Sequence, residues 1–155
     1  MNRADLQYSD SKDVGAFCRM LPPDEPVTYV MHSAGMYKIG RTTGRNLYNR
    51  WHVSQSGSPW PIHVLGAYAG DIESVVHDSL EIYRQHREWF AFDLSDVENL
   101  CPVVRGRRWY GCLWGQVDML RELGQHDDAT ALVRRHSPLT RTRDEAALRA
   151  IEVAA

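Results

Sequence analysis

The chain has 155 residues, 43% of them apolar and 25% charged, which is the size and mix of a soluble globular domain with one core. That composition excludes a collagen-like chain, a bare coiled coil and a disordered acidic tail, and no apolar run approaches the ~18 residues of a membrane span. The net charge of −2 excludes a grossly basic nucleic-acid binder.

The charge is unevenly spread. Residues 27–70 carry Lys38, Arg41, Arg45 and Arg50 and no acid, whereas residues 71–100 carry eight acids against Arg84 and Arg87. Residues 101–155 carry nine arginines against seven acids. A phosphate-binding face built from 27–70 would be hidden in the total. Cys18, Cys101 and Cys112 are too few and too scattered for a disulfide framework or a zinc site. The opening Met-Asn-Arg-Ala-Asp-Leu-Gln has no apolar core of a secretory signal. The expected setting is therefore reduced and cytoplasmic, with no membrane partner.

In chain order, a short helix is expected over Asp10 to Leu21, stopped by Pro22 and Pro23. Val27 to His32 and Met36 to Arg41 read as two strands around a Ser33-Ala34-Gly35 turn, a β-hairpin. A helix follows from Arg45 to near Gly57, then an extended Pro59-Trp60-Pro61 and a third strand over Ile62 to Ala69. Asp71 is the expected N-cap of a helix running to about residue 86, with Ile72, Val75, Val76, Leu80 and Tyr83 at helical spacing. Glu88 to Phe92 suits a small strand or packed turn, and Ser95 caps a helix to Leu100. Further helices are expected around 113–124, 127–136 and 143–153. The fold expected is α+β: a small three-stranded antiparallel sheet flanked by helices. It divides into an N-terminal segment (1–25), a central domain (26–100) and a helical C-terminal extension (101–155).

Residues 27–92 resemble the GIY-YIG nuclease family. Val27-Thr28-Tyr29 stands at the first motif and keeps its tyrosine, and Lys38-Ile39-Gly40 stands at the second and keeps Ile-Gly. Asn46-Leu47-Tyr48-Asn49-Arg50 is similar to the family's helix segment ending in arginine, and Glu73 falls at its glutamate. The run Tyr37 to Thr42, the Glu73-x-x-x-His77 spacing, Arg84 and Glu88-Trp89-Phe90 resemble a phage-associated branch. The second family tyrosine is Lys38 here, and the late asparagine has no equivalent.

The resemblance implies a metal-dependent endonuclease acting on DNA, bacterial or phage-encoded, with Tyr29, Lys38, Arg50 and Glu73 as catalytic residues. The chemistry of those residue types agrees. A carboxylate such as Glu73 can hold Mg²⁺ or Mn²⁺, a guanidinium such as Arg50 matches phosphate geometry, and a phenol or amine can activate water if its pKa falls. The four are expected to converge on one concave surface.

Tyr37, Arg41, His77, Arg84 and Glu88 are accessory candidates. Strand alternation turns Tyr37 to the face opposite Lys38. His77, one helical turn from Glu73, suits either a metal or phosphate contact or a buried hydrogen bond. Arg84 and Glu88 are expected to pair, and Trp89 and Phe90 to be core. Arg45, Arg105, Arg107 and Arg108 are candidate nucleic-acid contacts, the last three beside Trp109 and Tyr110. Phosphate contacts alone do not separate DNA from RNA. One active site per domain implies a homodimer or two successive nicks for double-strand cleavage. The alternative reading is the same fold without catalysis, binding nucleic acid or a protein partner.

Overall fold

The computed structural model describes residues 11–92, 104 and 106–136. The expected helices at 95–100 and 143–153, and Arg105, lie outside the described residues. The elements are α1 (Ser11–Arg19), β1 (Pro26–Ser33), β2 (Met36–Thr43), α2 (Leu47–Ser56), β3 (His63–Ala69), α3 (Glu73–Ser79), β4 (Arg84–His86), β5 (Trp89–Phe90), β6 (Trp109–Gly111), α4 (Leu113–Glu122) and α5 (His126–His136).

The strands form one open sheet of six, ordered β4-β5-β2-β1-β3-β6, with every pairing antiparallel. The expected three strands are its centre. The other three are only two or three residues long, too short for a period of two to show in the sequence. β5 and β6 exist because they pair with the exposed edges of β2 and β3, and β4 pairs in turn with β5. The β1–β2 hairpin turns through Ala34 and Gly35, both with positive φ (50° and 80°), the two-residue geometry that matches strand twist.

The third expected helix is shorter than its apolar spacing suggests. It ends at Ser79, followed by a 3-10 turn over Glu81–Tyr83 and then β4. Its N-cap is Ile72, not Asp71, because the Asp71 carboxylate is drawn to the Arg41 guanidinium at 2.9 Å.

Strand alternation divides the core into two. Val27, Tyr29 and Met31 of β1 face α1 and α2, packing with Val14, Phe17, Leu47 and Trp51. Val30 and Ile39 face the other way, with Ile72, Val76 and Leu80 around α3. Trp51 fixes α2 to this frame, since its buried indole N–H donates to the Ile62 carbonyl at 2.8 Å. On the α3 side of the hairpin, buried His32 stands opposite His63, which is hydrogen-bonded to Glu122 of α4. Burial, aided by His63, pushes the His32 imidazole down to about 4.

Candidate functional site

Tyr29 and Gly40 are direct partners across β1 and β2. The Tyr29 ring lies across the bare Cα of Gly40: a Cβ there would stand 2.3 Å from the hydroxyl oxygen and 2.5 Å from Cζ. The glycine of the Lys38-Ile39-Gly40 motif is therefore the space through which the central-strand phenol reaches toward the edge of β2. Tyr29 is only 2% exposed. Burial, then the negative charge of Glu88, push its phenol up to about 12; Arg50 opposes them and Glu73 adds to the rise. The condition for a phenol base, a lowered pKa, is thus not met in the protein by itself. Three candidate charges nonetheless act on this one hydroxyl.

The opposite face presents Glu73. Thr28, buried on β1, donates its hydroxyl to the Gly70 carbonyl at 2.8 Å and accepts the Ile72 N–H at 3.0 Å. One side chain thereby secures the turn that starts α3, and Glu73 follows directly. Thr28 was legible only as a replacement in the first motif, and nothing in the strand pattern marks the role. Glu73 Oε2 lies 3.4 Å from Arg41 Nε, and Glu73 Oε1 3.8 Å from His77 Nε2. Desolvation and the Glu88 carboxylate raise the Glu73 pKa, with His77 and Arg41 opposing.

His77 makes the hydrogen bond that one of its two readings expects. Its Nε2 donates to the Ile39 carbonyl at 2.7 Å. The Ile39 N–H donates to the Glu88 carbonyl at 3.1 Å, so His77 satisfies β2 just where β5 stops pairing.

Lys38 lies on the α2 face. Its Nζ donates to Ser54 Oγ at 3.2 Å, stands 3.9 Å from Glu88 Oε2, and lies 5.9 Å above the Trp89 ring. Arg50, on α2, is exposed and makes no ion pair with a described residue. Tyr29, Lys38 and Arg50 thus approach from the α2 face, Glu73, Arg41 and His77 from the α3 face, and Glu88 from the β4–β5 turn. They gather around the β2 edge at Gly40 instead of on one face of the sheet. Opposed strand faces are brought together because β5 covers only residues 37–38 of β2.

Other candidates separate from this edge. Tyr37 is 7% exposed, stacked on Phe92 at 4.7 Å, and belongs to the α3-side core. Arg84 pairs with Glu81 at 2.8 Å, one helical turn away, and not with Glu88; its guanidinium lies over Phe90, 4.9 Å from the ring centroid. Phe90 is core as expected, but Trp89 is only partly buried. Arg45 pairs with Asp24 at 2.9 Å and, with Lys12 and Arg19, lines a groove of about 600 Å³ between α1 and α2. Arg107 and Arg108 precede β6 at the far edge of the sheet. Trp109 there packs on Tyr68 at 4.6 Å, and Arg108 lies 4.8 Å over Tyr110.

Among the described residues, no three His, Cys, Asp or Glu side chains are arranged to hold a metal ion. No helix among them is long and apolar enough to cross a membrane.

The hairpin, α2, α3 and the β4–β5 turn that carry these charges fall within residues 27–105, which match the T5orf172 domain, and that match spans just over half of the chain. The protein belongs to the T5orf172 domain family, a phage-associated domain. No curated protein and no solved structure matches the chain.

Proposed function

We propose that the protein is a metal-dependent nuclease hydrolysing DNA phosphodiester bonds at the Gly40 edge of β2. The observation that carries this reading is the Tyr29 ring laid across the bare Cα of Gly40, which sets its hydroxyl in the field of Arg50, Glu88 and Glu73. A family whose domain is phage-associated and nuclease-like supports it.

Arg50, unpaired and exposed beside Tyr29, binds the scissile phosphate. Glu73 would hold Mg²⁺ or Mn²⁺. Its carboxylate fits: it is partly buried beside the negative charge of Glu88, and the Arg41 guanidinium 3.4 Å away is shared with Asp71. A hard cation that keeps several waters needs no cage of protein ligands, and when bound it supplies charge neutralisation and an acidified water. The Tyr29 hydroxyl has no hydrogen-bond partner among the described residues and orients the attacking water. Burial, then Glu88 and Glu73, raise its pKa, so its release of a proton is eased when the two negative charges are offset. Lys38, tethered by Ser54 and Glu88, stabilises charge on the departing oxygen.

The second reading, a nucleic-acid-binding module without catalysis, is favoured by one specific observation, the burial of Tyr29, which pushes its phenol up to about 12. Nicking of supercoiled plasmid with Mg²⁺ or Mn²⁺ decides between them. Glu73→Gln keeps the shape and removes the charge: cleavage should fall at least 100-fold while DNA affinity holds or improves, a split that a folding defect does not give. Cleavage at the wild-type rate by Glu73→Gln rules out metal catalysis through this residue.

A further inference from the structure

Beside Lys38 opens a groove of about 400 Å³ that the catalytic reading does not use, within the size range of small-ligand sites. Its walls come from the β1–β2 turn, the loop after α2 and the β4–β5 hairpin, and Trp60, Trp89, Met36, Ser58, His86 and the Lys38 stem line it. Two tryptophans with a few polar groups, and an ammonium at the rim, are what a stacking site for a base next to a bound phosphate needs.

Trp60 is the decisive residue. It is 53% exposed, and with Met36 and Trp89 it gives the groove an accessible apolar lining. Its backbone, in contrast, is held firmly. The Trp60 carbonyl accepts from Ser58 Oγ at 2.9 Å and Gln55 Nε2 at 3.1 Å, and its N–H donates to Ser58 Oγ at 3.1 Å. Gln55 Oε1 also accepts the Ile62 N–H at 2.7 Å, and Pro59 and Pro61 stiffen the loop on either side. The indole is therefore presented in advance of binding, so little ordering entropy is lost when a ring stacks on it. A stack inside this groove requires a base free of its complement, because a paired base offers only its edges.

We infer that this groove takes up an unpaired nucleobase flanking the phosphate bound at the Gly40 edge, with Trp60 as the stacking platform and Trp89 as the opposite wall. The inference rests on the nucleic-acid reading of the site and narrows its substrate to single-stranded, frayed or flipped positions.

The test is fluorescence anisotropy of the full chain with a chelator present to prevent cleavage, using a dye-labelled 12-mer of thymidylate and the matched 12-base-pair duplex. Trp60→Ala should weaken single-strand binding by about tenfold or more, the size of one lost base stack, and change duplex binding by less than about twofold. Trp60→Phe should retain most of the single-strand affinity. No loss on the single strand, or equal loss on both probes, overturns the groove assignment while leaving the nuclease reading intact. A wild-type chain that binds neither probe overturns both. A selective loss in Trp60→Ala, alongside full activity of Glu73→Gln, upholds the groove and overturns only metal catalysis through Glu73.

Discussion

At the scale of single residues, Gly40 decides whether Tyr29 can serve the site at all. Its backbone is ordinary strand, so the demand is for space and not for unusual dihedrals. A methyl group at 2.3 Å from the phenol oxygen cannot be accommodated unless the buried ring moves. Gly40→Ala should therefore destabilise the fold by about 1–3 kcal/mol and displace the hydroxyl from Arg50 and Glu88. In a Tyr29→Leu background the ring is absent, so the same substitution should cost less than half as much. Urea denaturation of the four chains of this double-mutant cycle measures the coupling; additive costs would show that the ring does not depend on the bare Cα.

At the scale of elements, α3 has only seven residues and cannot be stable alone. Ile72, Val76 and Leu80 hold it to the sheet, His77 links it to the Ile39 carbonyl, and Thr28 secures its first turn. Thr28→Val keeps the volume and leaves the buried Ile72 N–H without a partner, a loss of about 1–3 kcal/mol. Cleavage should drop with it, because the Glu73 carboxylate loses its fixed origin, and Thr28→Ser should restore both. A stable Thr28→Val protein that cleaves normally would show that the apolar contacts alone place α3. The same element marks where the sequence stopped being legible. The hairpin, α2 and β3 are readable because a run rich in Val and Tyr, a Gly turn and a Pro-bounded strand are local signals. The end of α3 was not, since the helical spacing of Leu80 and Tyr83 continues through the 3-10 turn that terminates it. Nor were β4, β5 and β6, which are created by edges that only the folded sheet possesses. Tyr29, Arg50 and Glu73 could be picked out by motif, but Thr28 as an anchor and Trp60 as an exposed ring are visible only once strand faces and burial are known.

At the scale of the whole molecule, the sheet order separates two positive regions. The edge at β2 carries Lys38 and Arg41, with Arg50 on the adjoining helix, whereas Arg107 and Arg108 stand at β6, three strands away, roughly 14 Å at the ordinary inter-strand spacing. A strand bound at both places must cross the sheet, and the groups at β6 then add affinity without touching the chemistry. Each neutralised phosphate contributes about 0.7–0.9 to the slope of log affinity against log salt. Replacing Arg107 and Arg108 by alanine should therefore weaken DNA binding at ~100 mM salt and make that slope shallower by roughly 1.5. The cleavage rate at saturating enzyme should stay within about twofold of wild type, because Arg50, Glu73 and Tyr29 are undisturbed. Loss of the rate at saturation would place β6 within the active surface. An unaltered slope would instead assign the arginines to their own neighbours, as the stacking of Arg108 on Tyr110 already does in part, and would confine the DNA-binding face to α2 and the β2 edge.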